Sequence, residues 1–292
     1  MTNTVVANGI TFAYEEQGSG PLALCLHGFP DTPYTWRHLL PVLADAGYRA
    51  VAPFARGYAP TEVPADGRYQ VGALVADATA LHDALGGDSE AVLIGHDWGA
   101  MGAYGAASFA PERWRRLVTV AVPPPALAGN PFGDFDAIQR LAYIFFFQTA
   151  LADVVVPLEE YAYLRRLWEA WSPGYDPTDD LTHVRASLGT PANLAAALGY
   201  YRALFDPERH DPGLAAEQEA SMSIPPVPTL YVHGEADGCA PAPDVAIESS
   251  LAPGSRFVRM PGVGHFLHLE APGEFHPHVL SFLAEESSAS RP

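Results

Sequence analysis

Short strand-like runs recur along this chain with helical stretches between them: Leu22 to Leu26, Arg49 to Ala52, Ala91 to Ile94, Leu117 to Val122, Thr229 to Val232 and Arg256 to Arg259. A strand that pairs with a parallel neighbour needs a crossover helix. The alternation therefore implies an α/β fold, a mostly parallel central sheet with helices on both faces. The rhythm stops after Val122. Pro123-Pro124-Pro125 cannot continue a central strand, and residues 129–214 read as helical and aromatic, with no buried-strand run. A second proline cluster, Pro225-Pro226-Val227-Pro228, leads back into the strand at Thr229. The expected division is a core in two parts, 1–128 and 215–292, with a helical cap at 129–214 inserted between them and a cleft beneath it. The tail, Glu285 to Pro292, reads as frayed.

Charge narrows the partners. The net charge is -18 and all 16 basic residues are arginine, so a polyanionic partner such as nucleic acid is not expected. Without lysine, Schiff-base chemistry and phosphate binding by a P-loop lysine are excluded. The two cysteines, Cys25 in an apolar run and Cys239 in a loop, make neither a disulfide framework nor a zinc-ligand spacing, which points to reduced thiols in a cytoplasm. Met1-Thr2-Asn3-Thr4 has no secretory character, and the apolar stretch Leu141 to Leu158 is interrupted by Gln148, Asp153 and Pro157, so no membrane span is expected. The oligomeric state is open, a homodimer included.

One strand-to-helix junction carries chemistry. The run Ala91-Val92-Leu93-Ile94 meets Gly95-His96-Asp97-Trp98-Gly99, and a close-packed helix follows from Ala100. Glycines two residues either side let the backbone turn sharply and present the central residue, as in G-x-S-x-G turns, with Asp97 in place of the serine. An aspartate attacking an ester would form a reactive anhydride. Attacking a saturated carbon, it forms an ordinary ester, so the expected targets are alkyl carbons bearing a leaving group.

Such a nucleophile needs a base and a group to orient it, and two later loops at the carboxyl ends of strands offer them. His233-Gly234-Glu235-Ala236-Asp237-Gly238 follows the strand at Thr229, with Asp237 able to accept from an imidazole and Glu235 as its nearest competitor. Gly262-Val263-Gly264-His265-Phe266 follows the last run and can swing His265 toward the turn. The histidines His265, His268, His276 and His278 do not have the spacing of a metal site, and no carboxylate is grouped with them. His27 and His96 are read as braces for their loops, and Cys239 as an inert thiol.

Through His27-Gly28-Phe29-Pro30, Arg56-Gly57-Tyr58, Gly95-His96-Asp97-Trp98-Gly99, Asp237-Gly238 and Gly264-His265-Phe266, the chain resembles the α/β-hydrolase superfamily, and within it the soluble epoxide hydrolases. It departs from the usual pattern at Phe54 and Ala59. The resemblance implies an oxyanion hole from the N–H groups of Phe29 and Trp98. It also implies two cap tyrosines that polarise the epoxide oxygen: Tyr143, in Tyr143-Ile144-Phe145-Phe146-Phe147-Gln148, and Tyr201, in Tyr200-Tyr201-Arg202, with Tyr200 its rival. In the implied mechanism Asp97 opens the epoxide to an ester, and His265, held by Asp237, activates the water that hydrolyses it. Substrates would be small apolar epoxides in a pocket with Trp168, Trp171 and Phe146, and neither metal nor organic cofactor is needed. A haloalkane dehalogenase using the same three residues is the nearest alternative. A hydrolase-fold protein that binds an apolar ligand without turnover is the other.

Overall fold

The strands β1 (Asn3–Ala7), β2 (Ile10–Gly18), β3 (Leu22–Leu26), β4 (Arg49–Pro53), β5 (Val92–His96), β6 (Arg116–Val120), β7 (Thr229–Gly234) and β8 (Arg256–Met260) build one sheet in the order β1-β2-β4-β3-β5-β6-β7-β8. The pairs β1–β2 and β2–β4 are antiparallel, and every later pair is parallel. This computed structural model describes residues 3–129, 133 and 135–285, so the tail expected to fray lies outside the described residues beyond Glu285.

Side chains alternate across the central strands, as a period of two requires. On one face Ala23, Cys25, Val92 and Ile94 meet α1 (Leu39–Asp45) through Leu39, Leu40 and Leu43. On the other, Leu22, Leu24, Ala91 and Leu93 meet α2 (Val71–Ala84) and α3 (Trp98–Phe109) through Val75, Leu81, Ala100, Ala103 and Tyr104. Burial on both faces is why these strands read as unbroken apolar runs and not as alternating ones.

The N-terminal hairpin β1–β2 was not among the strand runs expected from sequence. Its outer strand is largely exposed, so it lacks the continuous apolar character of the others. The signal was nonetheless present in Asn8-Gly9, whose φ angles of +46° and +72° suit the tight two-residue turn that this dipeptide favours.

Between β6 and β7 the described residues form no strand. They form α4 (Phe135–Arg140), α5 (Ala142–Phe147), α6 (Leu151–Val155), α7 (Leu158–Trp171), α8 (Thr178–Ser187), α9 (Pro191–Phe205) and α10 (Ala215–Ala220), the last packed on α2 and α3. After β8 come α11 (Leu267–Glu270) and α12 (Pro272–Leu283), whose Phe275, Val279 and Phe282 join the α1 side of the core. Over the carboxyl ends of the strands, Phe29, Trp98 and Phe266 are buried with Tyr143, Phe147, Trp168, Trp171 and Tyr201 of the inserted helices. Polar contacts fix that layer: Trp168 Nε1 donates to Pro30 O at 3.0 Å, Asn193 Nδ2 to Gly57 O at 2.8 Å, and Arg37 pairs with Asp180 at 2.7 Å. No helix among the described residues is long and apolar enough to cross a membrane.

Candidate active site

β5 ends at His96 and α3 begins at Trp98, so Asp97 alone makes the turn, with φ +51° and ψ −119°. A non-glycine residue held there stores about 1–3 kcal/mol of strain, supplied by the packing around it. The two glycines permit the turn by close approach. A Cβ on Gly95 would run into the Gly99 carbonyl, and one on Gly99 into the backbone of Leu26 and His27. The N–H groups of Ala100 and Met101 donate to Asp97 O, and the positive end of α3 lies beside the carboxylate.

The two carboxylate oxygens of Asp97 have different surroundings. Oδ1 accepts from Phe29 N–H at 2.7 Å, and the chain can approach this closely because residue 28 is glycine; a Cβ there would strike the carboxylate. Oδ2 faces His265 Nε2 at 3.6 Å, an ion-pair separation too long for a hydrogen bond. His265 Nδ1–H donates to Asp237 Oδ2 at 2.9 Å, while Asp237 Oδ1 accepts from the N–H groups of Cys239 at 2.7 Å and Ala240 at 3.0 Å. Glu235, the competitor, pairs instead with Arg259 at 3.2 Å.

Charge within this buried set is mutual. Burial pushes the His265 pKa down, but its bond and ion pair with Asp237 and the carboxylate of Asp97 outweigh that and lift it to about 10. Burial raises Asp97, yet His265, His96 and the Phe29 N–H together hold it below the ordinary carboxylate value. Both directions favour an anionic Asp97 and a proton on His265.

The tyrosines separate by what their hydroxyls do. Tyr200 donates to Arg56 O at 2.8 Å and is committed to the backbone. Among the described residues the buried Tyr201 hydroxyl makes no hydrogen bond of good geometry, with the Trp98 side chain beside it, and the Tyr143 hydroxyl meets Cys239 Sγ at 3.6 Å. The two rings meet edge-on with centroids 5.6 Å apart. Burial raises the pKa of Tyr201, and the negative charge of Asp97 is the next cause.

The aromatic residues expected around a pocket divide. Trp171 lies 5.0 Å from the Tyr143 ring and 5.2 Å from His265. Trp168 stacks on Phe266 at 3.4 Å, its indole N–H held by Pro30. Phe146 turns to Tyr163 at 5.2 Å, whereas its neighbour Phe147 meets Phe29, Tyr143 and Tyr201. A one-residue step on a short helix moves a ring by about 100°, which sequence spacing did not resolve in a run of three phenylalanines. A cleft of about 340 Å³, lined by residues including Leu127, Arg140, Leu141 and Pro241, reaches Cys239.

The flanking histidines brace their loops. His27 Nδ1 donates to Gly28 O at 2.9 Å and Nε2 accepts from Ala55 N–H at 3.0 Å; His96 Nε2 donates to His265 O at 3.0 Å. Sequence reading missed His233, whose Nε2 lies 3.4 Å from Asp237 Oδ2 and whose Nδ1 is 2.5 Å from the Tyr231 hydroxyl.

The family described as alpha/beta hydrolase fold matches residues 21–272. An epoxide hydrolase of Caballeronia sordidicola is 47% identical over 120 residues, 41% of this chain, and that match spans only 36% of the relative's length. Epoxide hydrolase A of Mycobacterium tuberculosis is 30% identical over 96% of both chains. A crystal structure of an epoxide hydrolase from Vigna radiata superposes with a TM-score of 0.79 at 28% identity, covering 97% of each chain.

Proposed function

Because the chain belongs to the alpha/beta hydrolase fold family, we propose that it opens apolar epoxides to vicinal diols through a covalent ester on Asp97. In this reading residues 1–128 and 215–292 are the catalytic core, and residues 129–214 are the cap that supplies the acids. One observation carries it: a buried carboxylate at a strained turn, facing an imidazole, lies where its charge reaches the Tyr143 and Tyr201 hydroxyls, neither bonded, among the described residues, to a backbone carbonyl or a carboxylate.

Phe29 N–H holds Oδ1, so Oδ2 is the attacking atom. It bonds to an epoxide carbon as the ring C–O bond breaks, and a tyrosine hydroxyl protonates the departing oxygen. Esterification removes one of the two carboxylates that hold the proton on His265. His265 then passes its proton to the tyrosinate left by ring opening, which restores the tyrosine and leaves a neutral imidazole as the base at the stage that needs one. It takes a proton from water, and the resulting hydroxide adds to the ester carbonyl carbon. The charge forms on Oδ1, against the N–H groups of Phe29 and Trp98; collapse breaks the bond between the ester carbon and Oδ2, and the proton of the added hydroxyl passes to the departing oxygen, releasing the diol and restoring the carboxylate. Trp171 and Phe147 line the pocket. Both cysteines are buried and free, which suits a reducing cytoplasm.

The test is product analysis on matched epoxides and haloalkanes of equal carbon skeleton. Diol from the epoxide at the higher kcat/KM supports the reading. Halide release without diol formation would replace it with dehalogenation, and tight binding of both without turnover would replace it with a ligand-binding role.

A further inference from the structure

Three buried side chains from distant parts of the chain, one of them next to Asp97 in sequence, come together: Asp31, His96 and His268, exposed by 1%, 0% and 2%. Asp31 Oδ2, His96 Nδ1 and His268 Nδ1 each lack a hydrogen-bond partner among the described residues. One ligand atom from each residue lies within 4.8 Å of those from the other two. Three buried polar atoms without partners, on side chains this close together, would each cost on the order of 1–3 kcal/mol, and their grouping calls for an occupant.

The opposite edges of the two imidazoles specify what that occupant meets. His96 Nε2 lies 3.0 Å from the carbonyl oxygen of His265, which can only accept, so Nε2 carries the proton and Nδ1 of the neutral ring presents a lone pair. His268 Nε2 lies 2.5 Å from Thr35 Oγ1, a hydroxyl able to donate or accept, which anchors the far edge of that ring without fixing its tautomer. With His268 Nε2–H donating to Thr35, two lone-pair nitrogens and a carboxylate oxygen, each ring oriented by a bond from its far nitrogen, are the donor set and outer support of a mononuclear site.

We propose that Asp31, His96 and His268 bind one divalent first-row ion of the zinc type, with water completing its coordination. Zinc–nitrogen and zinc–oxygen bonds of about 2.0–2.2 Å require the three atoms to draw together modestly around the ion. The consequence lies in where the ligands sit. Asp31 is two residues after Phe29, His96 immediately precedes Asp97, and His268 follows His265 by three. One ion would tie together the loops bearing the oxyanion donor, the nucleophile and the base. It would act as a structural clamp and take no part in the reaction. The four C-terminal histidines did not suggest it, since only His268 contributes.

Zinc and cobalt loading of the full-length protein after chelation and desalting tests this. One tightly held equivalent per chain is expected by elemental analysis, with visible cobalt bands of a nitrogen and oxygen site and no sulfur-to-metal charge transfer. The missing sulfur band, and unchanged binding in Cys239→Ala, would separate this site from the other close group, Asp237, Cys239 and His265. Thr35→Val should weaken binding about 10–100-fold through lost orientation of His268. Asp31→Asn and His268→Gln should weaken it further, each checked for folding by circular dichroism. Chelator should lower the melting midpoint of the parent protein and leave that of His268→Gln unchanged. Failure of the folded parent to hold zinc or cobalt, binding that survives in both ligand variants, or crystallographic density at this point with no anomalous signal at the zinc edge would overturn the proposal in favour of a buried water.

Discussion

At the scale of single residues, the working parts are set by which hydrogen bonds each side chain has already made. Asp97 Oδ1 is held by Phe29 N–H and Oδ2 is not, and Tyr200 is tied to the Arg56 carbonyl while Tyr201, among the described residues, is tied to no backbone group. Tyr143→Phe and Tyr201→Phe should each slow ester formation about 10²-fold or more, the lower end of what a positioned acid contributes. Tyr200→Phe should cost stability by leaving a buried carbonyl unpaired, with little change in the alkylation step. Rapid-quench rates for the three variants check this, and unchanged alkylation in both of the first two would remove them as acids. His265→Gln should form the ester and fail to release it, so intact mass should show enzyme plus substrate; unmodified protein after exposure to a turned-over epoxide would count against the assigned base. Asp97, Asp237 and His265 were legible in the sequence because each sits in a glycine-rich loop directly after a strand run. The ring positions of Phe146 and Phe147 were not, because adjacent residues on a helix face different neighbours. Nor was the convergence of Asp31, His96 and His268, which only the closing of three loops brings about.

Between elements, tight backbone approaches matter more than any one contact. The loop after β3 and the turn after β5 touch through Gly28 and Asp97, with no room for a methyl group. Gly28→Ala should therefore displace the nucleophile and lower kcat by about 10²-fold, a loss that small misplacements of reacting groups can produce. Gly273→Ala is the contrasting control. It lies in the first turn of α12 with nothing within 4 Å of an added Cβ, so it should leave activity unchanged and raise stability by a few tenths to about 1 kcal/mol. Steady-state kinetics and thermal melts on both variants decide the matter; full activity in Gly28→Ala would show that the loop yields where the packing says it cannot. The strand runs were readable because central parallel strands are buried on both faces. The β1–β2 hairpin escaped because its outer strand is exposed, although Asn8-Gly9 marked the turn.

On the scale of the whole molecule, a mostly parallel sheet gathers Asp97, Asp237 and His265 at one end, and the helices inserted between β6 and β7 pack over them. Trp168 binds the two layers through Pro30 and Phe266. Trp168→Phe should keep much of the stacking and leave the Pro30 carbonyl unpaired, at about 1–3 kcal/mol by denaturant unfolding. A cost indistinguishable from zero would mean that water satisfies that carbonyl. The central claim is that Asp97 Oδ2 becomes an oxygen of the product and that water replaces it in the enzyme. A single turnover in heavy-oxygen water, with enzyme in excess, tests it most directly. The expected result is unlabelled diol and label in the peptide containing Asp97; labelled diol with an unlabelled Asp97 would contradict the covalent route.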